Sequence, residues 1–434
     1  MSVCIFTVVA RNYIPLALTL ADSVRKHHPE ADLRIYIADG TEGLPAVEQQ
    51  RLQHKLTSLD EVLDETFEEL RFKYNITEFC TAVKPHLFRR LLAETPADLV
   101  VYLDPDTVLY TRLDALHEAA PLATLFLTPH LLHCRPDGDH AYPEYKHLWE
   151  GIFNLGFCAV RRTPQADVIL TWWERRLREH CYADHFDGLH TDQKWMDYAP
   201  AYFGDALHIV RLQGVNVAHW NLDERTLTRQ PPHAENGNSL WRVNGEALML
   251  WHFSGFDFMG QQLTRHTPNE RQQRYLSPDV MALGAAYRQA VESNGYAAFI
   301  GLAYRYNHYD NGQVVTALHR RLYRALGASA TIQAPFSSKG EFYCRLQAER
   351  LLDNSPAALK SHAASTLPGV GRLSVMARRL LRLFLRTMGA ARYAYLLKFF
   401  YKFARPEEHA FLLALGAPAP HAPDTQAIRR VAPP

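Results

Sequence analysis

Two carboxylates one residue apart, Asp104 and Asp106, directly follow the apolar run Leu99-Val100-Val101-Tyr102-Leu103. A short apolar run ended by a proline-containing triplet predicts a buried strand, which puts both carboxylates at its carboxyl end. From there they can reach one hard divalent cation, which takes oxygen ligands and can bridge to phosphate oxygens. The chemistry suggested is the departure of a diphosphate leaving group.

Spacing alone is a weak signal. An Asp-x-Asp triplet arises by chance about once in a chain of this length and ordinary composition. The chain in fact holds a second copy, Asp137-Gly138-Asp139, inside the polar stretch Cys134 to His140 that reads as a surface loop. Only Asp104 and Asp106 follow a strand.

The elements that must position them alternate. Val3 to Val9 reads as a buried strand, Tyr13 to His27 carries apolar residues at helical spacing, and Leu33 to Ala38 is a second strand ending at Asp39. A helix over Thr77 to Ala93 leads through Pro96 to the Leu99 strand. This β-α-β order predicts a parallel sheet with covering helices, whose ligands gather outside the carboxyl ends of the strands. Ala10, Asp39 and Asp104 all lie at such ends. Further on, Phe153 to Val160 reads as a strand, Pro164 to His180 as a helix, and Thr191 or Asp192 as the N-cap of the next helix. Ile209 to Leu212 and Leu248 to Trp251 complete the strands.

The whole chain has 434 residues, 47% hydrophobic and 21% charged, enough for a sizeable core and more than one domain. A net charge of +1 gives no reason to expect nucleic acid as a partner. Six cysteines without C-x-x-C spacing suit a reducing compartment as free thiols. The N-terminus lacks a basic n-region and no apolar run approaches the ~18 residues of a bilayer span, so a cytoplasmic protein, peripheral at most on the inner face of a membrane, is expected.

Four motifs taken in order resemble the nucleotide-sugar glycosyltransferases of the GT-A fold, and within them the retaining glycosyltransferase family 8 and related bacterial enzymes. They are Asp104-Pro105-Asp106 after its strand, Phe153-Asn154-Leu155-Gly156, Asp192-Gln193, and Trp251-His252-Phe253-Ser254-Gly255. The resemblance covers roughly residues 1 to 260 and implies an α/β, Rossmann-like, mainly parallel sheet flanked by helices. It implies Mn²⁺ (or Mg²⁺) held by Asp104, Asp106 and His252, a neutral imidazole being a good ligand beside carboxylates. It places Asn154, Asp192 and Gln193 beside the reacting sugar. Ala10, Asn12, Tyr13 and Asp39 match positions that hold the nucleotide base, and Lys84 a basic residue facing the donor. Small Ser254 and Gly255 would let backbone approach phosphate. The implied reaction moves a hexose from a UDP-sugar to a glycan or lipid-linked acceptor. One departure stands out: a phosphate-gripping Lys often follows the late His of the family, and here Gly255-Phe256-Asp257 follows instead. The helix before Asp104 also lacks the family's arginine pattern at its start.

Two rival chemistries remain open at this stage. An inverting transferase would need Asp192 as general base. A sugar nucleotidyltransferase would open with a Gly-rich loop, and Val9-Ala10-Arg11-Asn12-Tyr13 contains no glycine.

The domain reading is a catalytic domain over 1–262, a helical extension over 263–350 with a loop at Pro335 and Gly340, basic amphipathic helices over 351–415, and a disordered tail over 416–434. Between Asn354 and Pro406 there are ten Lys or Arg and no Asp or Glu. Arg378, Arg382 and Arg386 recur every four residues among leucines and Phe384, a pattern suited to an anionic membrane surface or to packing against a partner.

Overall fold

A computed structural model describes residues 2–44, 48, 52, 56–118, 120–136, 138, 140, 142–230, 241–260, 262–267, 269–326, 332–353 and 370–413. The chain forms two compact units, Met1–Arg305 and Tyr306–Pro434. The strands of the first are β1 (Val3–Val9), β2 (Asp32–Ile37), β3 (Leu56–Ser58), β4 (Leu99–Leu103), β5 (Thr107–Leu109), β6 (Leu125–Pro129), β7 (Phe153–Arg161), β8 (Leu207–Ile209), β9 (Leu227–Arg229), β10 (Trp241–Val243), β11 (Glu246–Ala247) and β12 (Leu250–His252). Seven make one sheet in the order β3-β2-β1-β4-β7-β6-β8. β5 pairs with β12 apart from it, and β9 to β11 form a small antiparallel sheet.

The expected α/β architecture is present, with one informative departure from a parallel sheet. β3, β2, β1 and β4 run parallel, as do β6 and β8, but β7 runs antiparallel to both of its neighbours. Among the described residues the helix between β6 and β7, Tyr145–Glu150, has six residues, too short to carry a crossover over the sheet. The start of β7 therefore lies beside the end of β4, where Asp104 N donates to Gly156 O at 2.8 Å. This register brings two of the four motifs together.

Both faces of the sheet are buried, which is why its strands read as unbroken apolar runs rather than alternations. Cys4, Phe6, Val8, Val100 and Tyr102 face one core with Leu87, Phe88, Ile169 and Trp173 from the helices Lys84–Glu94 and Pro164–His180. Ile5, Val101 and Leu103 face the other with Leu20 and Val24 of the helix Ile14–His27. The sulfur atoms stay free at all six cysteines.

Three local expectations change. The helix expected over Thr77 to Ala93 is two, Ile76–Ala82 and Lys84–Glu94, because Pro85 has no N–H to continue the first and its fixed φ suits the opening of the second. The residues after Asp192 form a 3₁₀ segment, Gln193–Tyr198, and the Asp192 side chain caps nothing. The late strands shift, to Leu207–Ile209 and Leu250–His252.

The second unit is helical: Ala317–Leu326, Glu341–Ala348 after Gly340, and Val370–Phe403. Leu322, Phe342 and Leu346 are buried, and Glu407 is held by Arg321 at 2.7 Å and Arg324 at 2.6 Å. The long helix breaks at Gly389 (φ 79°, ψ 167°) into two segments. The expected tail over 416–434, and Lys360, lie outside the described residues.

Candidate active site

The end of β4, the start of β7 and the end of β12 converge on one cleft of about 520 Å³, within the roughly 300–1,000 Å³ of ligand pockets. Asp104, Asp106 and His252 present ligand atoms that all lie within 4.8 Å of one another. His252 Nε2 is 3.2 Å from Asp106 Oδ1 and 3.7 Å from Asp104 Oδ2. The β5–β12 ladder makes this meeting possible: His252 pairs with Thr107, and Phe253 N donates to Asp106 O at 2.8 Å.

The imidazole is oriented from its other nitrogen, because Asn154 Oδ1 lies 3.2 Å from His252 Nδ1. That oxygen also accepts from Gly156 N and from Asn216 Nδ2, each at 3.1 Å, so the side chain that aims the ring is itself fixed. Burial acts to lower the His252 pKa, but the Asp106 carboxylate outweighs it and raises it; Asp106 in turn is held low against its own burial by His252. Two carboxylates and an imidazole with a fixed second nitrogen are a donor set suited to Mn²⁺ or Mg²⁺, the ion taking the place of the imidazolium proton.

Gly156 is required here for space. A Cβ on it would lie 2.4 Å from His252 Cε1 and 2.9 Å from Asn154 Oδ1. Gly255, at φ +65°, is the second such position, since a Cβ there would lie 2.3 Å from the His266 ring.

Lys84 and Asp192 make a buried ion pair at 2.8 Å, each side chain 2% exposed. Lys84 Nζ also donates to Leu155 O at 3.1 Å, lies 3.9 Å from Asp104 Oδ1, and sits 4.0 Å from the centre of the Tyr102 ring. Burial favours the neutral forms of both, yet Asp192 and Asp104 hold the Lys84 pKa above its usual value, while burial keeps that of Asp192 raised. Thr191 just before it has φ +47°, a strained conformation for a β-branched residue. Trp173 Nε1 donates to Asp192 O at 3.3 Å and helps fix that turn. Gln193 also lines the cleft, its amide donating to Glu150 O at 2.8 Å, and so does Ser254.

The residues at the ends of β1 and β2 sit elsewhere. Ala10 precedes a 3₁₀ turn over Arg11–Tyr13, and none of Ala10, Asn12, Tyr13 and Asp39 lines the cleft. Asp39 is fully buried and accepts from Arg11 N at 2.9 Å, Arg11 Nε at 3.1 Å and Arg305 N at 3.3 Å. Asp137 and Asp139 lie outside the described residues.

Several residues in and behind the cleft wall went unread in the sequence. Tyr102 Oη donates to Asp104 Oδ1 at 2.6 Å; its place two residues before Asp104 on the same strand face was the available signal. A second wall is aromatic and rich in histidine. His130 stacks on His147 at 4.4 Å, Trp220 meets the His252 ring edge-on at 5.3 Å, and Tyr142 Oη donates to Glu150. Burial pushes the His130 pKa down to about 3, so this ring is neutral. His147 with both ring nitrogens and Trp220 Nε1 have no hydrogen-bond partner within the protein. His130, Tyr142 and Trp220 come from loops and His147 and Glu150 from the six-residue helix Tyr145–Glu150, and no periodic pattern in the sequence marks them.

No protein-family model matches the chain, and no curated protein matches it in sequence. Among solved structures, the chain is similar to galactosyltransferase LgtC in complex with donor and acceptor sugar analogs, at 15% identity over 67% of this chain and 95% of that one, with a TM-score of 0.39. It is similar to the glycosyltransferase GlyE of Streptococcus pneumoniae TIGR4 at 13% identity, over 71% of this chain and 66% of that one, TM-score 0.38. A glycosyltransferase involved in glycosylation of the major capsid of PBCV-1 is similar at 10% identity, over 63% of this chain and 98% of that one, TM-score 0.33.

Proposed function

We propose that the chain is a metal-dependent glycosyltransferase that moves a hexose from a UDP-sugar to a hydroxyl of a glycan or lipid-linked acceptor, with retention, in the assembly of cell-surface polysaccharide or lipopolysaccharide. The observation that carries the reading is the convergence of Asp104, Asp106 and His252 at one end of a cleft that also holds Lys84, Asn154, Asp192 and Gln193. A divalent cation held by the three ligands would supply Lewis-acid stabilisation to a leaving diphosphate. Lys84, buried and cationic 3.9 Å from Asp104, adds positive potential at the same end of the cleft. Asn154, fixed by Asn216, and Gln193, fixed by Glu150, present amide groups suited to sugar hydroxyls. With retention, the acceptor hydroxyl attacks on the face the nucleotide leaves and its proton passes to a diphosphate oxygen, so no side-chain base is needed. The free cysteines suit a cytoplasmic setting.

The inverting reading keeps one observation in its favour, the raised pKa of Asp192 in the cleft wall, which suits a general base. The 2.8 Å pair with Lys84 opposes it by occupying the carboxylate. NMR of the product anomer decides between them. Titration calorimetry of UDP with Mn²⁺ tests the reading as a whole: wild type is expected to bind UDP at least ~10-fold more tightly with the metal, and Asp106→Ala to lose that gain. Equal UDP binding with and without Mn²⁺ would remove the metal site from the reading. A screen of UDP-sugars for Mn²⁺-dependent hydrolysis then names the donor.

A further inference from the structure

The segment Val370–Met388 has two chemically distinct sides. At ~100° per residue, Arg372, Arg378, Arg379, Arg382 and Arg386 fall within an arc of about 120°, and Leu373, Met376, Leu380, Leu383, Phe384 and Met388 within an adjoining arc of about 140°. Val375 lies on the basic side, and Leu381 and Leu385 fall between the two arcs. The apolar arc faces solvent: Leu380 and Leu383 are each 59% exposed and Met376 is 54% exposed. Beyond the break at Gly389, Lys398 and Lys402 stand among exposed Phe399, Phe400 and Phe403.

We infer that this helix lies in the plane of an anionic lipid surface, with the leucine arc against acyl chains and the arginine arc at the headgroup phosphates. Charge selects this occupant. The stretch from Asn354 to Pro406 holds ten cations without one acid, in a chain whose net charge is only +1, and an anionic interface complements it while neutral or cationic partners do not. Among the described residues no helix is long and apolar enough to cross a membrane, so the segment lies on the bilayer rather than through it. The break at Gly389 lets the aromatic segment follow the surface without continuing one rigid axis. The inference is independent of the transfer reaction, because its readout is partitioning.

The test is flotation of the full chain with phosphatidylcholine vesicles, with and without phosphatidylglycerol, at low and high salt. Wild type is expected to float only with the anionic vesicles and to be released by salt. Arg378→Gln/Arg382→Gln/Arg386→Gln is expected to weaken partitioning by about fivefold per cation, on the order of a hundredfold in all. Leu380→Asp/Leu383→Asp, which leaves those cations in place, is expected to abolish flotation while circular dichroism keeps its helical signal. Wild type that stays in solution beside anionic vesicles at low salt overturns the inference. Unchanged flotation of the Leu380→Asp/Leu383→Asp variant overturns the inserted apolar arc. Wild type that forms dimers the same variant dissolves, without vesicle binding, assigns the face to a second copy and overturns it as well.

Discussion

Gly156→Ala is a one-methyl test of the proposed metal centre. The glycine couples two of its proposed ligands: its carbonyl accepts from Asp104 N, and its bare Cα leaves room for the His252 ring. A Cβ would stand 2.4 Å from His252 Cε1, and ordinary contact begins at 3.4 Å, so 3.4 − 2.4 = 1.0 Å must be found. Backbone cannot supply it easily, because β7 is paired on both sides. The imidazole can, by losing its approach to Asn154 Oδ1 and swinging from Asp106. Metal ligands tolerate displacements of about 0.2 Å, so a shift several times larger is expected to weaken Mn²⁺ binding by about 10–100-fold, with a stability loss of roughly 1–3 kcal/mol from overpacking. Competition for Mn²⁺ against a fluorescent chelator measures the first and urea unfolding the second. Cys158→Ala, on the same strand and buried against other residues, is the control that loses stability but keeps metal affinity. A folded Gly156→Ala protein with wild-type Mn²⁺ affinity would show that His252 is not a ligand.

Lys84→Met strands Asp192 as a buried carboxylate and is expected to cost about 3–5 kcal/mol of unfolding free energy, most of it recovered in Lys84→Met/Asp192→Leu; denaturant unfolding of both separates an ion pair from mere packing. His130 gives a pH signature. Its folded pKa is depressed to about 3 by burial, so its contribution is present above its ordinary value near 6.5 and lost as the pH falls toward 3. Stability should drop by roughly 1.4 kcal/mol per pH unit below about 6 on its account, and urea titrations of His130→Gln should show a shallower slope; an unchanged slope assigns the acid sensitivity elsewhere. Asp39→Ala is expected to lose about 3 kcal/mol, by removing the acceptor of Arg11 and Arg305 groups, without changing Mn²⁺ affinity; a loss of metal binding would tie the ends of β1 and β2 to the cleft after all.

The parts of the site that the sequence discloses are those that sit at the ends of regular elements. β1, β4 and β7 are legible because a strand covered on both faces must be apolar throughout, and such runs stop sharply at polar residues. The helix Pro164–His180 is legible at both ends from its opening proline and its basic last turn. Asp104, Asp106 and His252 follow from their places at strand ends together with the order of the motifs. What the sequence withholds is pairing across distance. Lys84 reads by resemblance as a basic residue facing the donor, and only the fold shows it buried against Asp192. The direction of β7 is equally hidden, since a buried strand has the same composition whichever way it runs. That direction matters, because it makes the start of β7, rather than its end, a wall of the cleft. The histidine wall comes from loops and one short helix whose proximity is a property of the tertiary structure alone.

The meeting of β5 with β12 would give the proposed metal centre a mechanical role. Its ligands come from two stretches far apart in the chain, joined by a three-residue ladder. A cation bound to Asp104, Asp106 and His252 would act as a clasp across that short ladder, tying the late part of the first unit to its central sheet. By mass action, an ion at a hundredfold excess over its Kd adds about 2.7 kcal/mol to folding. Chelation would therefore remove that stabilisation from the seam the ladder closes.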